Sequence, residues 1–401
     1  MHVLIADKLS NEVVSALLAL GCQVTVDAAL KDQALTQALE LLDPDVLVVR
    51  STKVNAEHLG AARSLALVIR AGAGVNTIDL ERASARGVYV SNCPGKNAVA
   101  VAELTMGHLV NLDRRIADNV AALRAGQWQK KEFGKARGLA GRTLAILGCG
   151  SIGVEVARRA RAFGMVVRGW DRTMDQCLAQ ELDVTLCDSA LEACRDADAV
   201  TIHLSLNPGT RGLVGEELLS ALRPGAYVIN TSRGEVVDQD ALERAIATRG
   251  LRAGLDVFAE EPATDGEFPH AIARNPGVYG THHIGASTDQ ASEAVGDEVV
   301  RIVRVWLQTG RVENCVNVAE RTPATHLLVV RHRDQVGVLA NVLDLISKAG
   351  INVQEMENII FSGAAAAVAR IQLDQAPSPA LRAALDEHPA VFATALVALD
   401  S

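Results

Sequence analysis

The stretch Thr143-Leu-Ala-Ile-Leu-Gly148-Cys-Gly150-Ser-Ile-Gly153-Val-Glu-Val-Ala157 decides the fold. Its aliphatic residues predict a buried strand, the G-x-G-x-x-G spacing predicts a tight turn, and the residues that follow predict a helix. The first glycine allows the bend, the second lets a pyrophosphate approach the backbone, and the third lets helix and strand pack closely. The helix N-terminus offers unpaired N–H groups to phosphates. The stretch therefore predicts a dinucleotide-binding site.

An acidic residue ends the next predicted strand, which covers residues 165–170. Asp171 follows Gly153 by 18 residues, and its carboxylate can accept hydrogen bonds from both hydroxyls of a ribose. The same negative charge would repel a 2′-phosphate. The pattern therefore favours NAD over NADP as the cofactor, while the neighbouring Arg172 leaves the strictness of that preference open.

Short aliphatic runs alternate with helical patterns on both sides of this stretch. They predict strands over residues 2–7, 23–26, 46–49, 67–69 and 88–90, and again over 199–203, 226–230 and 253–257. Continuous aliphatic runs separated by helices are typical of parallel sheets buried on both faces. We also expect one helix from residue 97 to about 123 and another from about 287 to 308.

The C-terminal segment has a different pattern. After a linker over residues 311–325, the order strand, helix, strand, strand, helix, strand predicts a ferredoxin-like βαββαβ module. The expected fold class is therefore α/β, with two doubly wound Rossmann-like domains followed by a C-terminal ferredoxin-like domain.

Composition narrows the classes of function. The 401 residues carry a net charge of −9 and only 3% aromatic residues, which argues against a nucleic-acid binder because phosphate neutralisation needs a basic face. No apolar stretch reaches the ~18 residues of a membrane span, and the first residues lack the basic region of a signal peptide. Seven cysteines without a C-x-x-C pair indicate reduced thiols and no zinc site. We therefore expect a cytoplasmic protein.

Three polar motifs follow strands of the second series and carry Arg233, Glu261 and His283. Ligands of open α/β sheets lie beyond the carboxyl ends of the strands, so these side chains can converge. A histidine can take the proton of a secondary alcohol, a carboxylate can fix its tautomer, and an arginine can hold a substrate carboxylate. Adjacent residues of an extended segment point to opposite sides, so His282 and His283 make a poor metal site.

Two strand ends of the first series suit an anionic substrate. Arg50 can bind a phosphate, and the backbone N–H groups of the glycine-rich turn at Gly72 and Gly74 can surround a carboxylate. A chain with a net charge of −9 needs such local positive charge to attract a trianionic substrate. A solvated charge at a strand end is an equally good interpretation of Arg50 taken alone.

Taken in order, the glycine turn, Asp171, Ser-Arg233-Gly, Asp256-Val-Phe…Glu261-Pro and His283-Ile-Gly resemble the D-isomer-specific 2-hydroxyacid dehydrogenase family. Within it, the chain resembles members that oxidise D-3-phosphoglycerate to 3-phosphohydroxypyruvate, the first step of L-serine biosynthesis. The resemblance implies a discontinuous substrate-binding domain over 1–97 and 282–312, an NAD-binding domain over 98–281 and a regulatory domain over 323–401. The family commonly has proline where this chain has His282.

The resemblance also implies roles for individual residues. His283 becomes the catalytic acid and base, Glu261 its partner, Arg233 the substrate-binding arginine and Asp256 a contact to the nicotinamide end. The residues expected to bind NAD are Gly148, Gly150, Ser151, Ile152, Gly153, Asp171, His203, Thr231, Asp256 and Gly285. The residues expected to bind the substrate are Arg50, Ser51, Gly74, Asn97 and Lys130. The segment around Lys130 resembles a basic segment that reaches a neighbouring subunit's site in the family, although a solvated loop explains it equally well.

The βαββαβ module resembles an ACT domain, which binds amino acids where two copies meet. By that resemblance, His332, Asp334 and Asn352 are expected to contact an L-serine effector. This chain has Asp334 and Val336 where related modules commonly have asparagine and proline, and the added carboxylate would weaken binding of the serine carboxylate. A dimerisation module without a ligand is an equal alternative.

Two other functions stay open. The same chemistry could serve an unphosphorylated substrate such as glyoxylate or hydroxypyruvate, or a bulky 2-oxo acid. The same fold also serves as an NAD-sensing corepressor, a class that lacks the C-terminal module. Closed symmetry is the default for soluble oligomers, so we expect a homodimer or homotetramer without a nucleic-acid or membrane partner.

Overall fold

Short aliphatic strands form two parallel sheets within the first of two compact units. The computed structural model describes residues 1–262 and 266–399. Its two units comprise Met1–Asn317 and Val318–Ser401. No helix among the described residues combines the length and the apolar character that crossing a bilayer requires.

The first sheet has five parallel strands in the order β2-β1-β3-β4-β5. Its strands are β1 His2–Ile5, β2 Gln23–Val26, β3 Val46–Val49, β4 Leu67–Arg70 and β5 Tyr89–Asn92. The helices between them are α1 Asn11–Ala19, α2 Asp32–Leu42, α3 Ala56–Ala61 and α4 Leu80–Ala85. All four residues of β3 are buried, as an uninterrupted aliphatic run predicts for a strand covered on both faces.

The region predicted as one helix from residue 97 to about 123 forms two helices, so that prediction is wrong. The helices here are α5 Ala98–Arg114, α6 Ile116–Arg124 and the short α7 Lys130–Phe133. Arg115 separates the first two with a left-handed backbone, at φ 51° and ψ 46°. The Asn111 side chain accepts a hydrogen bond from the N–H of Ala117 at 2.9 Å, and Arg115 pairs with Asp118 at 3.1 Å. The first of these contacts satisfies an N–H group that the break leaves without a helical partner, and the second joins two side chains at the start of α6.

The second sheet has seven parallel strands in the order β12-β11-β10-β9-β6-β7-β8. Its strands are β6 Thr143–Leu147, β7 Val166–Trp170, β8 Val184–Leu186, β9 Ala199–Ile202, β10 Tyr227–Asn230, β11 Arg252–Leu255 and β12 Val278–Gly280. The helices between them are α8 Ser151–Ala162, α9 Gln176–Glu181, α10 Ala190–Cys194, α11 Glu216–Ala221 and α12 Gln239–Arg249. The strand order reverses between β6 and β9, and ligands of such sheets bind beyond the carboxyl ends at this point.

The chain then returns to the first sheet through a 21-residue helix, α13 Asp289–Thr309. Val295 and Val299 of this helix share a hydrophobic core with Val3 and Leu17 of the first sheet region. Thr288 caps the helix, because its hydroxyl accepts a hydrogen bond from the N–H of Ala291 at 3.1 Å. The loop between β12 and α13 therefore connects the two sheets.

The second unit is an antiparallel sheet in the order β14-β15-β13-β16 with two helices. Its elements are β13 His326–Arg333, α14 Val338–Lys348, β14 Val353–Ile360, β15 Ala366–Leu373, α15 Pro379–Asp386 and β16 Val391–Ala398. Leu328 and Val330 of β13 share a core with Val342 and Ile346 of α14 and with Leu385 of α15. This βαββαβ order and the two parallel sheets confirm the predicted fold class.

Candidate active site

His283 and Glu261 form a hydrogen-bonded pair beyond the carboxyl ends of the second sheet. The Nδ1 atom of His283 lies 2.7 Å from Oε2 of Glu261. The other carboxylate oxygen accepts a hydrogen bond from the N–H of Phe258 at 2.8 Å, which fixes the carboxylate. An ionised carboxylate can only accept, so Nδ1 carries a hydrogen and Nε2 keeps a lone pair. The His283 side chain is 50% exposed, so a substrate can reach the imidazole.

The pair shifts both pKa values in directions that suit proton transfer. The hydrogen bond to Glu261 raises the pKa of His283, and burial opposes this rise only in part. Burial acts to raise the pKa of Glu261, but the hydrogen bonds from His283 and Phe258 and the charge of Arg233 lower it overall. Glu261 is therefore ionised when His283 accepts a proton, and its charge stabilises the imidazolium.

Asp256 holds the loop that carries His283. The N–H of His283 donates to the carbonyl of Asp256 at 2.8 Å, and the N–H groups of Ile284 and Gly285 donate to its two carboxylate oxygens, each at 2.8 Å. His283 has a left-handed backbone with φ 53°, which is unfavourable for a residue other than glycine. The three hydrogen bonds offset that strain. The Asp256 carboxylate thus accepts hydrogen bonds from the protein itself. The family resemblance implies a further contact of Asp256 to the nicotinamide end.

Arg233 lies on a tight turn after β10. The side-chain amide of Asn230 donates to the carbonyl of Arg233 at 2.9 Å and so shapes the turn. At Gly234, a Cβ atom would lie only 2.1 Å from the carbonyl carbon of Phe258. Glycine therefore lets this turn lie against the segment that leads to Glu261, which brings Arg233 close to the His283–Glu261 pair.

The glycine-rich turn after β4 faces Arg233. A Cβ atom on Gly74 would lie 2.6 Å from Nη2 of Arg233, and one on Gly72 would lie 1.6 Å from Nη1 of Arg70. Burial and the positive charges of Arg233 and Arg50 lower the pKa of Arg70, whose Nε atom has no partner among the described residues. Arginine nevertheless stays charged at neutral pH. Three guanidinium groups therefore create local positive charge beside the turn.

Arg50 and Ser51 lie on the turn after β3, which Asp7 holds. One carboxylate oxygen of Asp7 accepts hydrogen bonds from the N–H groups of Arg50, Ser51 and Thr52, at 2.6, 3.0 and 3.0 Å. Arg50 is half-buried and Ser51 is exposed. Asp7 thus fixes the backbone of the turn through its main-chain N–H groups and leaves the Arg50 guanidinium available to a ligand.

The G-x-G-x-x-G turn fits a pyrophosphate. A Cβ atom on Gly153 would lie 2.1 Å from the carbonyl oxygen of Gly148, so α8 approaches the turn as closely as the sequence predicts. A Cβ atom on Gly150 would meet nothing within 4 Å, which leaves space in front of the helix. Gly150 is the N-cap residue and has no side chain to accept the N–H groups of Ser151, Ile152 and Gly153. Those groups and the space before them suit a dinucleotide phosphate.

Asp171 lies at the end of β7, next to this turn. Its Oδ1 atom accepts hydrogen bonds from the N–H and hydroxyl of Thr173 and from the N–H of Met174, at 2.7, 2.8 and 3.0 Å. Its Oδ2 atom accepts one, from the N–H of Cys149 at 2.8 Å. Partial burial acts to raise the pKa of Asp171, but these hydrogen bonds lower it overall. The carboxylate is therefore ionised, and Oδ2 keeps a lone pair for a further donor.

His203 and Thr231 lie near the same crevice. A Cβ atom on Gly148 would lie 2.6 Å from the carbonyl oxygen of His203. Burial lowers the pKa of His203, so its ring is neutral, and the buried Nδ1 atom has no hydrogen-bond partner among the described residues. Such a polar atom is one that a ligand can satisfy. The Thr231 hydroxyl lies 3.1 Å from that of Thr105 on α5.

Asn97 and Lys130 differ in how they are placed. Asn97 is the N-cap residue of α5, and its buried Oδ1 atom has no partner among the described residues. It follows Gly95 and Lys96, which line a cleft of about 390 Å³ together with Ser151. Lys130 is exposed at the start of α7. Within the described part of one chain, its side chain forms no hydrogen bond or ion pair with the groups above.

The predicted effector residues do not lie together within one chain. His332 and Asp334 lie at the end of β13, where the imidazole of His332 contacts the Asn358 amide oxygen at 3.1 Å. Asn352 precedes β14, and the register of β14, β15 and β13 places it beside the start of β13. Six residues of strand separate the two ends by roughly 20 Å. Within one chain the three residues therefore form two separate groups, because β13 and β14 run in the same direction, and the expected site between two copies stays a prediction.

Sequence reasoning missed two residues near the substrate end of the site, Asp7 and Arg70. Asp7 follows β1 closely, and Arg70 is the last residue of β4. Both therefore lie at the same edge of the first sheet as Arg50. That shared position was the signal available in the sequence. Nothing in the sequence signals the hydrogen bonds of Asp7 or the way Arg70 folds over Gly72.

The chain resembles known proteins in both sequence and structure. Residues 106–285 match the family model described as "D-isomer specific 2-hydroxyacid dehydrogenase, NAD binding domain". The D-3-phosphoglycerate dehydrogenase of Methanocaldococcus jannaschii is 37% identical over 319 residues, which are 79% of this chain and 59% of that protein. The hydroxypyruvate reductase of Thermotoga maritima is 38% identical over 281 residues, which are 69% of this chain and 89% of that protein.

A solved structure extends the likeness to the fold. The NAD⁺-bound 3-phosphoglycerate dehydrogenase of Entamoeba histolytica has a TM-score of 0.66 and 25% identity, and the match covers 79% of this chain and 99% of that one. The match to the M. jannaschii dehydrogenase, by contrast, spans only 59% of that longer protein.

Proposed function

Because the chain belongs to the D-isomer-specific 2-hydroxyacid dehydrogenases, we propose that it is an NAD-dependent enzyme that oxidises D-3-phosphoglycerate to 3-phosphohydroxypyruvate. This reaction is the first step of L-serine biosynthesis. The observation that carries the proposal is the His283–Glu261 pair close to Arg233, which in turn lies near Arg70 together with Arg50. The pair supplies a base for a 2-hydroxy group, and the arginines supply charge for a carboxylate and a phosphate.

His283 acts as the general base of the oxidation. Because its Nδ1–H is bound to Glu261, its Nε2 atom accepts the proton of the C2 hydroxyl. The Glu261 carboxylate stabilises the imidazolium that results. When bound, NAD supplies the hydride acceptor. In the reverse reaction, His283 returns the proton as a general acid.

The arginines divide the substrate between them. The charge of Arg233 acts on both members of the catalytic pair, so Arg233 suits the carboxylate next to the reacting carbon. Arg50 and Arg70 come from the first sheet and suit the phosphate. The N–H of Gly74 and the polar groups of Ser51 and Asn97 complete this proposed substrate site. Lys130 enters it only from a second copy of the chain.

The cofactor is proposed to lie across the crevice of the second sheet. The N–H groups of Ser151, Ile152 and Gly153 bind the pyrophosphate, and Oδ2 of Asp171 accepts a ribose hydroxyl. The other residues proposed to bind NAD are Gly148, Gly150, His203, Thr231, Asp256 and Gly285. The negative charge of Asp171 favours NAD over NADP.

A second candidate substrate is hydroxypyruvate without a phosphate. It is favoured by the likeness to the T. maritima hydroxypyruvate reductase, 89% of whose length the match covers. Under this alternative His283 and Glu261 keep their roles. Arg50 and Arg70 would then have no phosphate to bind, so the two candidates differ at the first sheet.

We also propose that residues 1–97 and 282–312 form a substrate-binding domain and 98–281 a cofactor-binding domain. The packing of α13 against the first sheet supports the proposal that the chain returns to the substrate-binding domain after residue 281.

The second unit is proposed as an ACT-like module that binds L-serine between two copies. Its strand β14 is an edge strand, and antiparallel pairing of two such edges would bring Asn352 of one copy near His332 of the other. Such pairing favours a dimer or a tetramer.

A substrate panel tests the proposed reaction. The full chain is incubated with NAD and either D-3-phosphoglycerate, D-glycerate or glycolate while NADH absorbance is recorded. We expect kcat/KM to be at least about tenfold higher for D-3-phosphoglycerate, because only this substrate uses every arginine. A higher value for D-glycerate would favour the hydroxypyruvate alternative. No NADH from any of the three substrates would contradict both candidate reactions.

Repeating the best reaction with L-serine tests the effector proposal. Unchanged rates in the presence of L-serine would contradict it.

A further inference from the structure

The position of His283 depends on the orientation of one buried carboxylate. The left-handed backbone of His283 is held by the main chain of Asp256, and the next two N–H groups are held by the carboxylate of Asp256. A rotation of that carboxylate would release both N–H groups. The strained loop would then lose the hydrogen bonds that offset its strain.

Thr281 fixes the orientation of the Asp256 carboxylate. Its Oγ1 atom lies 2.6 Å from Oδ1 of Asp256. The carboxylate can only accept, so the threonine hydroxyl donates its single hydrogen to Asp256. The oxygen of Thr281 is left as an acceptor, and the Nε2 atom of His108 lies 3.1 Å from it. His108 therefore donates from Nε2, which completes a chain of hydrogen bonds from His108 through Thr281 to Asp256.

His108 is held in place by its surroundings. It lies on α5 and is 4% exposed. A Cβ atom on Gly254 would lie 2.9 Å from Cβ of His108, so the imidazole is packed directly against the backbone of β11. Burial lowers the pKa of His108, and the nearby charge of Asp256 only partly opposes this. His108 is thus neutral, and its single ring N–H, at Nε2, donates to Thr281.

We propose that His108 is a positioning residue for catalysis, which acts through Thr281 and Asp256 to hold His283 against Glu261. This inference rests on the proposed dehydrogenase function, in which His283 is the base. It assigns a role to a buried histidine that the proposed reaction does not otherwise use. It also links α5, whose N-cap residue is Asn97, to the loop that carries the base.

Two matched pairs of variants test the proposal. Thr281→Val removes the hydroxyl at nearly constant volume, and Thr281→Ser keeps it. His108→Leu removes the donor, and His108→Gln places an amide N–H near the position of Nε2. We expect Thr281→Val and His108→Leu to lower kcat about fivefold to thirtyfold, the effect of one lost buried hydrogen bond, with KM values within about twofold. Thr281→Ser and His108→Gln should restore most of the rate.

A direct measurement on His283 separates positioning from general damage. The groups that face its imidazole are Glu261, Asp256 and Arg233. If the loop loosens, the hydrogen bond to Glu261 weakens, and the pKa of His283 should fall toward its ordinary value. Proton NMR titration of the histidine rings in the full chain, with His283→Ala to assign the signal, measures this shift. The double variant Thr281→Val with His108→Leu should lower kcat no further than Thr281→Val alone.

The outcomes are distinct. The proposal is overturned if folded His108→Leu keeps kcat within about twofold of the parent and leaves the pKa of His283 unchanged. It is also overturned if the double variant loses the product of the two single losses, because the residues then act independently. If His108→Leu does not fold, Thr281→Val with the NMR titration decides. If the parent chain oxidises no hydroxy acid, the proposed function fails, while the titration still reports on the link to His283.

Discussion

The polar groups beyond the two parallel sheets are held in different ways. Beyond the second sheet, the carboxylates of Glu261 and Asp256 form several internal hydrogen bonds that fix His283. Beyond the first sheet, Asp7 fixes only the backbone of its turn, and the Nε atom of Arg70 has no partner among the described residues. Proton transfer requires fixed atoms, whereas anion binding requires charge that the protein does not itself neutralise. Changes to the residues that hold His283 should therefore lower kcat, and changes to the arginines beyond the first sheet should raise KM.

The largest effect should come from the base itself. His283→Ala is expected to lower kcat by about 10²–10⁴-fold with little change in KM, because it removes the group that accepts the hydroxyl proton. Steady-state NADH formation measures both constants. His282→Ala is the matched control, since that neighbouring imidazole has no place in the proposed chemistry. Near-normal turnover of His283→Ala would contradict the proposal that His283 is the base.

A smaller effect is expected from the first sheet. Arg50→Ala should raise KM for D-3-phosphoglycerate by about 10-fold to 100-fold, the loss of a charge-assisted hydrogen bond, with kcat largely kept. Arg50→Lys, which keeps the charge, should recover part of the loss. The same variants are assayed with D-glycerate. Equal losses on the phosphorylated and unphosphorylated substrates would count against a phosphate at Arg50.

The pH dependence of kcat tests how Glu261 acts on His283 beyond the second sheet. Oxidation needs neutral His283, and its pKa is raised chiefly by the hydrogen bond to Glu261, so the rate should fall with acid at a pH above the ordinary histidine value. Glu261→Gln removes the charge and should move this fall to lower pH while reducing kcat about tenfold. Measuring kcat from pH 5 to 9 tests this. A profile that does not move would show that Glu261 does not set the pKa of His283.

An effect of similar size, on cofactor binding, should appear at Asp171. Asp171→Ala is expected to weaken NAD binding by about tenfold and to improve the rate with NADP, because it removes a ribose acceptor and a charge that repels a 2′-phosphate. Four internal hydrogen bonds to this carboxylate are also lost, so thermal unfolding is recorded in parallel. Arg172→Ala is the control for the adjacent charge. An unchanged ratio of the two cofactors would contradict the proposed ribose contact.

Much of the fold follows from local patterns. Buried parallel strands leave long aliphatic runs, and the G-x-G-x-x-G turn has a spacing that few other structures require. The predicted single helix from residue 97 failed because the break at Arg115 depends on polar side chains from neighbouring turns, which carry no strong local signal. The three-residue strand β8 was missed because so short a run has no clear periodicity.

The candidate site was predictable where a residue follows a strand, and less so where its role depends on a distant partner. Arg233, Glu261 and His283 were found from their positions after strands. Arg70 was not found in this way. The link from His108 to Thr281 was not found either, because 173 residues separate its two members. The separation of Asn352 from His332 within one chain could not be predicted either, since the direction of β14 relative to β13 appears only when the sheet is assembled.

The sequence by itself determined which elements form and which chemical groups stand at their ends, because backbone periodicity and turn chemistry are local properties. Only the tertiary structure decided which of those groups meet. The contact of His283 with Glu261 and the hold of Asp256 on its loop join neighbouring strand ends of the second sheet, and the approach of Arg233 to Gly74 joins the two sheets. Such contacts depend on how strands and sheets pack, and packing distances of a few ångströms are not encoded in any single stretch of sequence.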